Sequence, residues 1–66
     1  MAVAKVIELL AESDKGWEDA AQLGVKEASK TVRNIESVYI KEMQAKVENN
    51  QITKFRLNLK ITFMVE

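Results

Sequence analysis

The chain has 66 residues, ten basic and ten acidic, with zero formal net charge and neither cysteine nor histidine. One domain of this size buries only about 60% of its unfolded surface and needs disulfides, a structural metal or association to support it. Composition excludes disulfides and the common kind of zinc site, offers no basic excess for nucleic acid, and leaves association with further copies of itself.

Val3 to Leu10 reads Val-Ala-Lys-Val-Ile-Glu-Leu-Leu, which predicts a short first strand broken by Ala11-Glu12-Ser13-Asp14. Ser13 is the expected N-cap of a helix from about Asp14 to Arg33. Asp14, Glu18 and Asp19 suit the positive end of its dipole, and Lys26, Lys30 and Arg33 the negative end. Trp17, Ala20, Ala21, Gly24, Val25, Ala28, Val32 and Ile35 follow three/four spacing and make one apolar stripe. Its middle is small, so the helix is expected to lie close to a sheet. That is also a reason for Gly24, which costs about 1 kcal/mol against Ala inside a helix. Asn34 is placed to end the helix in the left-handed conformation.

Glu36 to Val47 is the expected second strand, with Val38 and Ile40 on one face and Ser37, Tyr39, Lys41, Met43 and Ala45 on the other. Glu48-Asn49-Asn50-Gln51 supplies a turn, because Asn tolerates positive φ. The last strand, from Ile52, has the clearest signal. Its odd positions from Phe55 to Val65 are apolar and its even positions from Lys54 to Thr62 polar, which is the period of a two-faced strand. It is too long for so small a chain to cover alone. The fold class is therefore α+β, β-α-β-β, one domain over 1–66. If the three-stranded sheet is antiparallel throughout, the third strand lies between the others, giving the order 1-3-2. Phe55, Leu57, Leu59, Ile61, Phe63 and Val65 then pack on the helix stripe.

Catalytic chemistry is sparse. No histidine removes the commonest general base near neutral pH, no cysteine removes a thiolate, and Gly16 and Gly24 alone form no phosphate loop. The acidic residues read as solvated or helix-end charges, so no enzyme is expected. No apolar run approaches the ~18 residues of a membrane span. Met1-Ala2-Val3-Ala4-Lys5 lacks the pattern of a secretory signal, and a cytoplasmic protein is expected.

Lys5-Val6-Ile7-Glu8-Leu9-Leu10, the Ser at the helix start, Trp17-Glu18-Asp19-Ala20-Ala21, Lys30-Thr31-Val32-Arg33-Asn34-Ile35, Ile52-Thr53-Lys54-Phe55-Arg56-Leu57 and Ile61-Thr62-Phe63 together resemble the dodecins. The collinear set carries the resemblance, and it spans nearly the whole chain. It implies a three-stranded antiparallel sheet wrapped round one helix. It also implies a hollow homododecamer of cubic symmetry and the storage or buffering of flavins bound in pairs.

Three places depart from the family pattern. Flavin-binding dodecins carry a Trp that stacks on the isoalloxazine ring where this chain has Ser37, and a hydroxymethyl group offers no aromatic face. They carry a Gln where this chain has Arg56, and Arg offers donors only. Their Gly-Thr-Ser before the helix is Ala11-Glu12-Ser13 here. The first two changes count against flavin itself.

The candidate ligand residues are Ser37, Tyr39 and Arg56. Tyr39 either supplies the missing ring or packs at a subunit contact. Arg56 either binds an anion or pairs between subunits with a Glu such as Glu42. The expected ligand is a flavin (FMN, riboflavin or FAD) or another flat anionic molecule. The alternative is a structural shell in which one Glu per chain, repeated round a symmetry axis, holds Ca²⁺ or Mg²⁺.

Overall fold

The computed structural model describes residues 3–65. Met1 and Ala2 of the opening segment, and the carboxylate of Glu66, lie outside the described residues. The elements are β1 (Val3–Ser13), α1 (Trp17–Ala28), β2 (Ile35–Glu48) and β3 (Gln51–Val65). The three strands form one sheet in the order β1-β3-β2, and β3 runs antiparallel to both neighbours.

β1 continues three residues past its expected end. The alternation Leu9, Ala11, Ser13 keeps small or apolar groups on one face, opposite Leu59, Leu57 and Phe55. Leu10 and Glu12 stay on the other face. Ser13 is therefore a buried strand residue and not the N-cap. Its Oγ accepts from the Lys15 N–H at 2.9 Å and donates to Asp19 Oδ2 at 2.6 Å, which ties the strand end to the first helical turn.

Gly16 caps the helix in its place, at φ 157°, a backbone conformation that side chains rarely adopt. The helix also stops short of Arg33. Ser29 Oγ donates to the Lys26 carbonyl at 2.6 Å, and the Thr31 and Val32 N–H groups both reach the Ala28 carbonyl. Ser and Thr divert backbone acceptors in this way and wind the last turn down. Asn34 does take positive φ, 61°. It sits at the entry to β2, where its carbonyl accepts from the Met64 N–H at 3.1 Å.

The inner face of the sheet meets the helix along β1 and β3. Leu57, Leu59 and Ile61 are fully buried there, with Ala11, Ala20 and Ala28. Trp17 packs edge to face on Phe55, with ring centroids 4.9 Å apart at 75°. Gly24 lies against the sheet as its size implies: a Cβ there would strike Leu59 Cδ1 and crowd Leu9 Cδ1 and Ala11 Cβ at 3.2 and 3.3 Å.

β2 is bulged, with register shifts between Ile35 and Ser37 and between Ile40 and Glu42. Each extra residue reverses which side chains point inward. Val38 and Ile40 face inward as expected. Beyond the bulge at Lys41, Met43 and Ala45 also face inward, opposite Leu57 and Phe55, and not outward beside Ser37. The hairpin to β3 turns on Asn49 and Asn50, both at positive φ (52° and 64°).

Candidate functional site

The outer face of the sheet, turned away from the helix, carries the candidate residues. Its cross-strand rows follow from the register: Val6–Thr62–Ser37, Glu8–Lys60–Tyr39, Leu10–Asn58–Glu42, Glu12–Arg56–Gln44, and last Lys54–Lys46. Ser37, Tyr39 and Arg56 thus share one face but form no single cluster. Ser37 and Tyr39 occupy neighbouring rows. Arg56 lies four residues along β3 from Tyr39's partner Lys60, roughly 13 Å at 3.3 Å per residue. It lies six residues, roughly 20 Å, from Ser37's partner Thr62. Tyr39 is 63% exposed.

Arg56 is engaged within the chain. Its Nε and Nη2 donate to Glu12 Oε1 at 3.0 and 2.8 Å, and Lys54 Nζ stands 3.5 Å from Glu12 Oε2. The hydrogen bond from Arg56 and the two positive charges hold the Glu12 carboxyl below its ordinary value. Glu42 lies one row away, opposite Asn58. The strand reading that stopped at Leu10 left Glu12 in a loop. The continued alternation of Ile7, Leu9, Ala11 and Ser13 was the signal that places it opposite Arg56. Lys46 and Gln44 were hidden by the bulge at Lys41, which brings them to this face.

Between the two ends, Glu8 lies opposite Lys60, and Lys41 Nζ reaches Glu8 Oε2 at 3.6 Å. Asn58 Oδ1 is enclosed without a donor. Such a face, polar along β3 and edged by the exposed Val6, Leu10 and Tyr39, offers hydrogen bonds, paired charges and one free ring. Among the described residues no three acidic side chains gather as a metal site within one chain, and no helix is long and apolar enough to cross a membrane.

A three-stranded antiparallel sheet of order 1-3-2 carrying one helix between its first two strands, with an unclosed polar outer face, defines a class of small β-α-β-β proteins. The chain belongs to the dodecin family, whose family model matches residues 3–66. An arginine-to-alanine mutant of the Thermus thermophilus dodecin superposes with a TM-score of 0.94 at 27% identity, over 100% of this chain and 98% of that one. Dodecin from Streptomyces coelicolor gives 0.92 at 25% identity, over 98% and 93%. The calcium-chelating immunodominant antigen of Mycobacterium tuberculosis, a calcium dodecin described with a novel calcium-binding site, gives 0.82 at 29% identity, over 97% and 91%. No curated protein matches the chain.

Proposed function

We propose that this chain is the non-catalytic subunit of a hollow cytoplasmic homo-oligomer, twelve chains in the dodecin pattern, that holds a small anionic molecule with a flat ring. One observation carries the assembly. The helix covers β1 and β3, and β2 keeps a bare inner stripe: Val38, Ile40, Met43 and Val47, with Ile52 across the hairpin, are all exposed. An apolar stripe of this length needs a cover. The surface area agrees: the chain exposes 5104 Å², against roughly 4,250 Å² for a compact monomer of 7.5 kDa. A second copy supplies apolar surface of the same kind. Ile40→Glu puts a charge in that contact and is expected to yield smaller particles in light scattering. Undiminished particle mass in this variant would remove the stripe from the interface.

The ligand reading rests on the outer face. Tyr39 presents a free ring and Arg56 a guanidinium roughly 13 Å away. A flat ring joined to an anionic tail suits that separation, so FMN or FAD fits the face better than riboflavin, whose ribityl tail carries no charge. Titration of each flavin with protein is expected to quench FMN at lower protein concentration than riboflavin, and Tyr39→Ala is expected to abolish both. Absence of quenching with all three flavins would defeat the ring part of the proposal.

A second reading, a shell with Ca²⁺ or Mg²⁺ on its axes, is favoured by the likeness to calcium dodecin. Carboxylates from several copies would then have to meet. Calorimetric titration with Ca²⁺ that gives no heat, with melting unchanged by EDTA, would sink it.

A further inference from the structure

The end of the outer face near the hairpin is charged differently from the rest. Each charged side chain with a charged cross-strand partner in the other rows faces the opposite sign: Glu8 lies opposite Lys60, and Glu12 opposite Arg56. Lys46 and Lys54 are the exception. They are direct cross-strand partners of like sign, the one such pair among the described residues, and like charges placed directly opposite destabilise a sheet. Arg56 adds a third positive group in the adjoining row. Glu12 is the one carboxylate that lines the cleft between them, and it is already shared between Arg56 and Lys54; Glu42 lines the adjoining hollow beside Arg56, and Asp14 and Asp19 the one beside Lys54. Among the described residues no carboxylate stands within ion-pair distance of Lys46. On a chain with zero net charge, the lining of this cleft sets three cations against one anion.

These side chains line an open cleft with Gln44 and Ala45, of about 250 Å³. That is smaller than the roughly 300–1,000 Å³ of pockets that enclose drug-sized ligands. It suits a compact anion and not a three-ring system. Two ammonium groups act as mobile point charges, the guanidinium as a planar donor fork, and the Gln44 amide as a further donor. This donor set matches tetrahedral phosphoryl oxygens.

We propose that this end of the outer face binds a phosphoryl anion, a phosphate or diphosphate, through Lys46, Lys54 and Arg56. The anion relieves the repulsion between the two lysines. Glu12 competes with it for Arg56 and Lys54. The site deepens the ligand reading above by naming the class of the anionic part, and rests on that reading only where one molecule supplies both ring and phosphate. A free phosphate and the tail of a nucleotide-like ligand share this chemistry, so both are tested.

The assembled protein is titrated calorimetrically with inorganic pyrophosphate, with sodium chloride of equal ionic strength as control, and separately with FMN and riboflavin. Pyrophosphate is expected to give saturable heat and raise the melting temperature, and chloride to do neither. Lys46→Gln and Lys54→Gln are each expected to weaken pyrophosphate about fivefold, the effect of one unit charge at roughly 4 Å in water. Glu12→Gln, which removes the competing carboxylate, is expected to strengthen it by a similar factor. These opposite signs separate anion binding from a merely structural role. FMN that tightens in Glu12→Gln while riboflavin does not identifies the anion as a ligand's tail; pyrophosphate heat with neither flavin quenched identifies it as free. The proposal is overturned by no saturable heat at millimolar pyrophosphate, by a response that chloride reproduces, or by heat unaltered in the variant carrying both lysine substitutions. Riboflavin quenching without pyrophosphate heat leaves the ring reading standing and removes this site alone.

Discussion

Leu59 and Arg56 stand three residues apart on β3 and answer to different forces. Leu59 is fully buried between the helix and both neighbouring strands. Truncation to Ala leaves a cavity as well as lost burial, and is expected to cost about 3 kcal/mol in chemical denaturation. Leu59→Lys, which buries an unpaired charge, is expected to prevent folding. Arg56 has a side chain 47% exposed, and exposed ion pairs contribute little. Arg56→Ala is therefore expected to leave the circular dichroism of the subunit unchanged while altering assembly or anion binding. Unfolding by both Leu59→Lys and Arg56→Ala would contradict the assignment of the two faces. Glu12 adds a pH signature. Its folded carboxyl is held below the ordinary value, first by the hydrogen bond from Arg56. A group depressed in this way contributes stability that is fully present above the ordinary carboxylate range and lost as pH falls through the folded value. Wild type is thus expected to melt slightly above Glu12→Gln at neutral pH, with the gap closing as pH falls through and below the ordinary carboxylate range. A gap that widens in acid would show that the pairing with Arg56 is not what holds Glu12.

At the scale of elements, the helix and the hairpin each turn on one residue type. Gly24 lets α1 lie against Leu59, Leu9 and Ala11. Gly24→Leu gains helix propensity of about 1 kcal/mol, but overpacks a closed contact at a cost of about 3 kcal/mol. A net loss near 2 kcal/mol is expected; a stabilised variant would mean that the helix stands off the sheet. Asn49 and Asn50 both hold positive φ in the turn, and Asn-Gly is a favoured pair in such hairpins. Asn50→Gly is expected to keep or raise the melting temperature, and Asn50→Val to lower it, since a β-branched residue is strained there.

The same elements show what the sequence displays and what it hides. β3 was legible because Lys54 to Val65 keep one phase through the centre of the sheet, so period two survives in the side chains there; the shift at Thr53, which turns Ile52 inward, lies only at the hairpin end. The order 1-3-2 followed from strand direction alone. β2 was only partly legible because bulges at Glu36 and Lys41 each reverse the alternation, and bulges leave no fixed mark in residue type. The helix was drawn too long because Ser29 and Thr31 end it through side-chain hydrogen bonds, while the apolar spacing runs on to Ile35. Ser37, Tyr39 and Arg56 were correctly expected on one face. Their distance along it was not legible, because that needs the register with β3, and the partners Glu12 and Lys46 came with the register too.

At the scale of the whole molecule, the chain is a ribbon with extents of 52 × 19 × 14 Å, set by the length of β3. Such a shape leaves both faces of the sheet incompletely covered: the inner stripe of β2 is bare, and the outer face carries Leu10 at 66% exposure beside Val6 and Tyr39. In the proposed assembly further copies of the chain supply that cover. Membership of the dodecin family sets the expected number at twelve. The central claim is that this ribbon is a shell subunit and not a free-standing domain. Its most direct test is the particle mass of the wild-type protein at micromolar concentration, by multi-angle light scattering on a sizing column. Twelve chains of 7.5 kDa give a mass of about 90 kDa in a single peak. A monomer or dimer at that concentration would contradict the account.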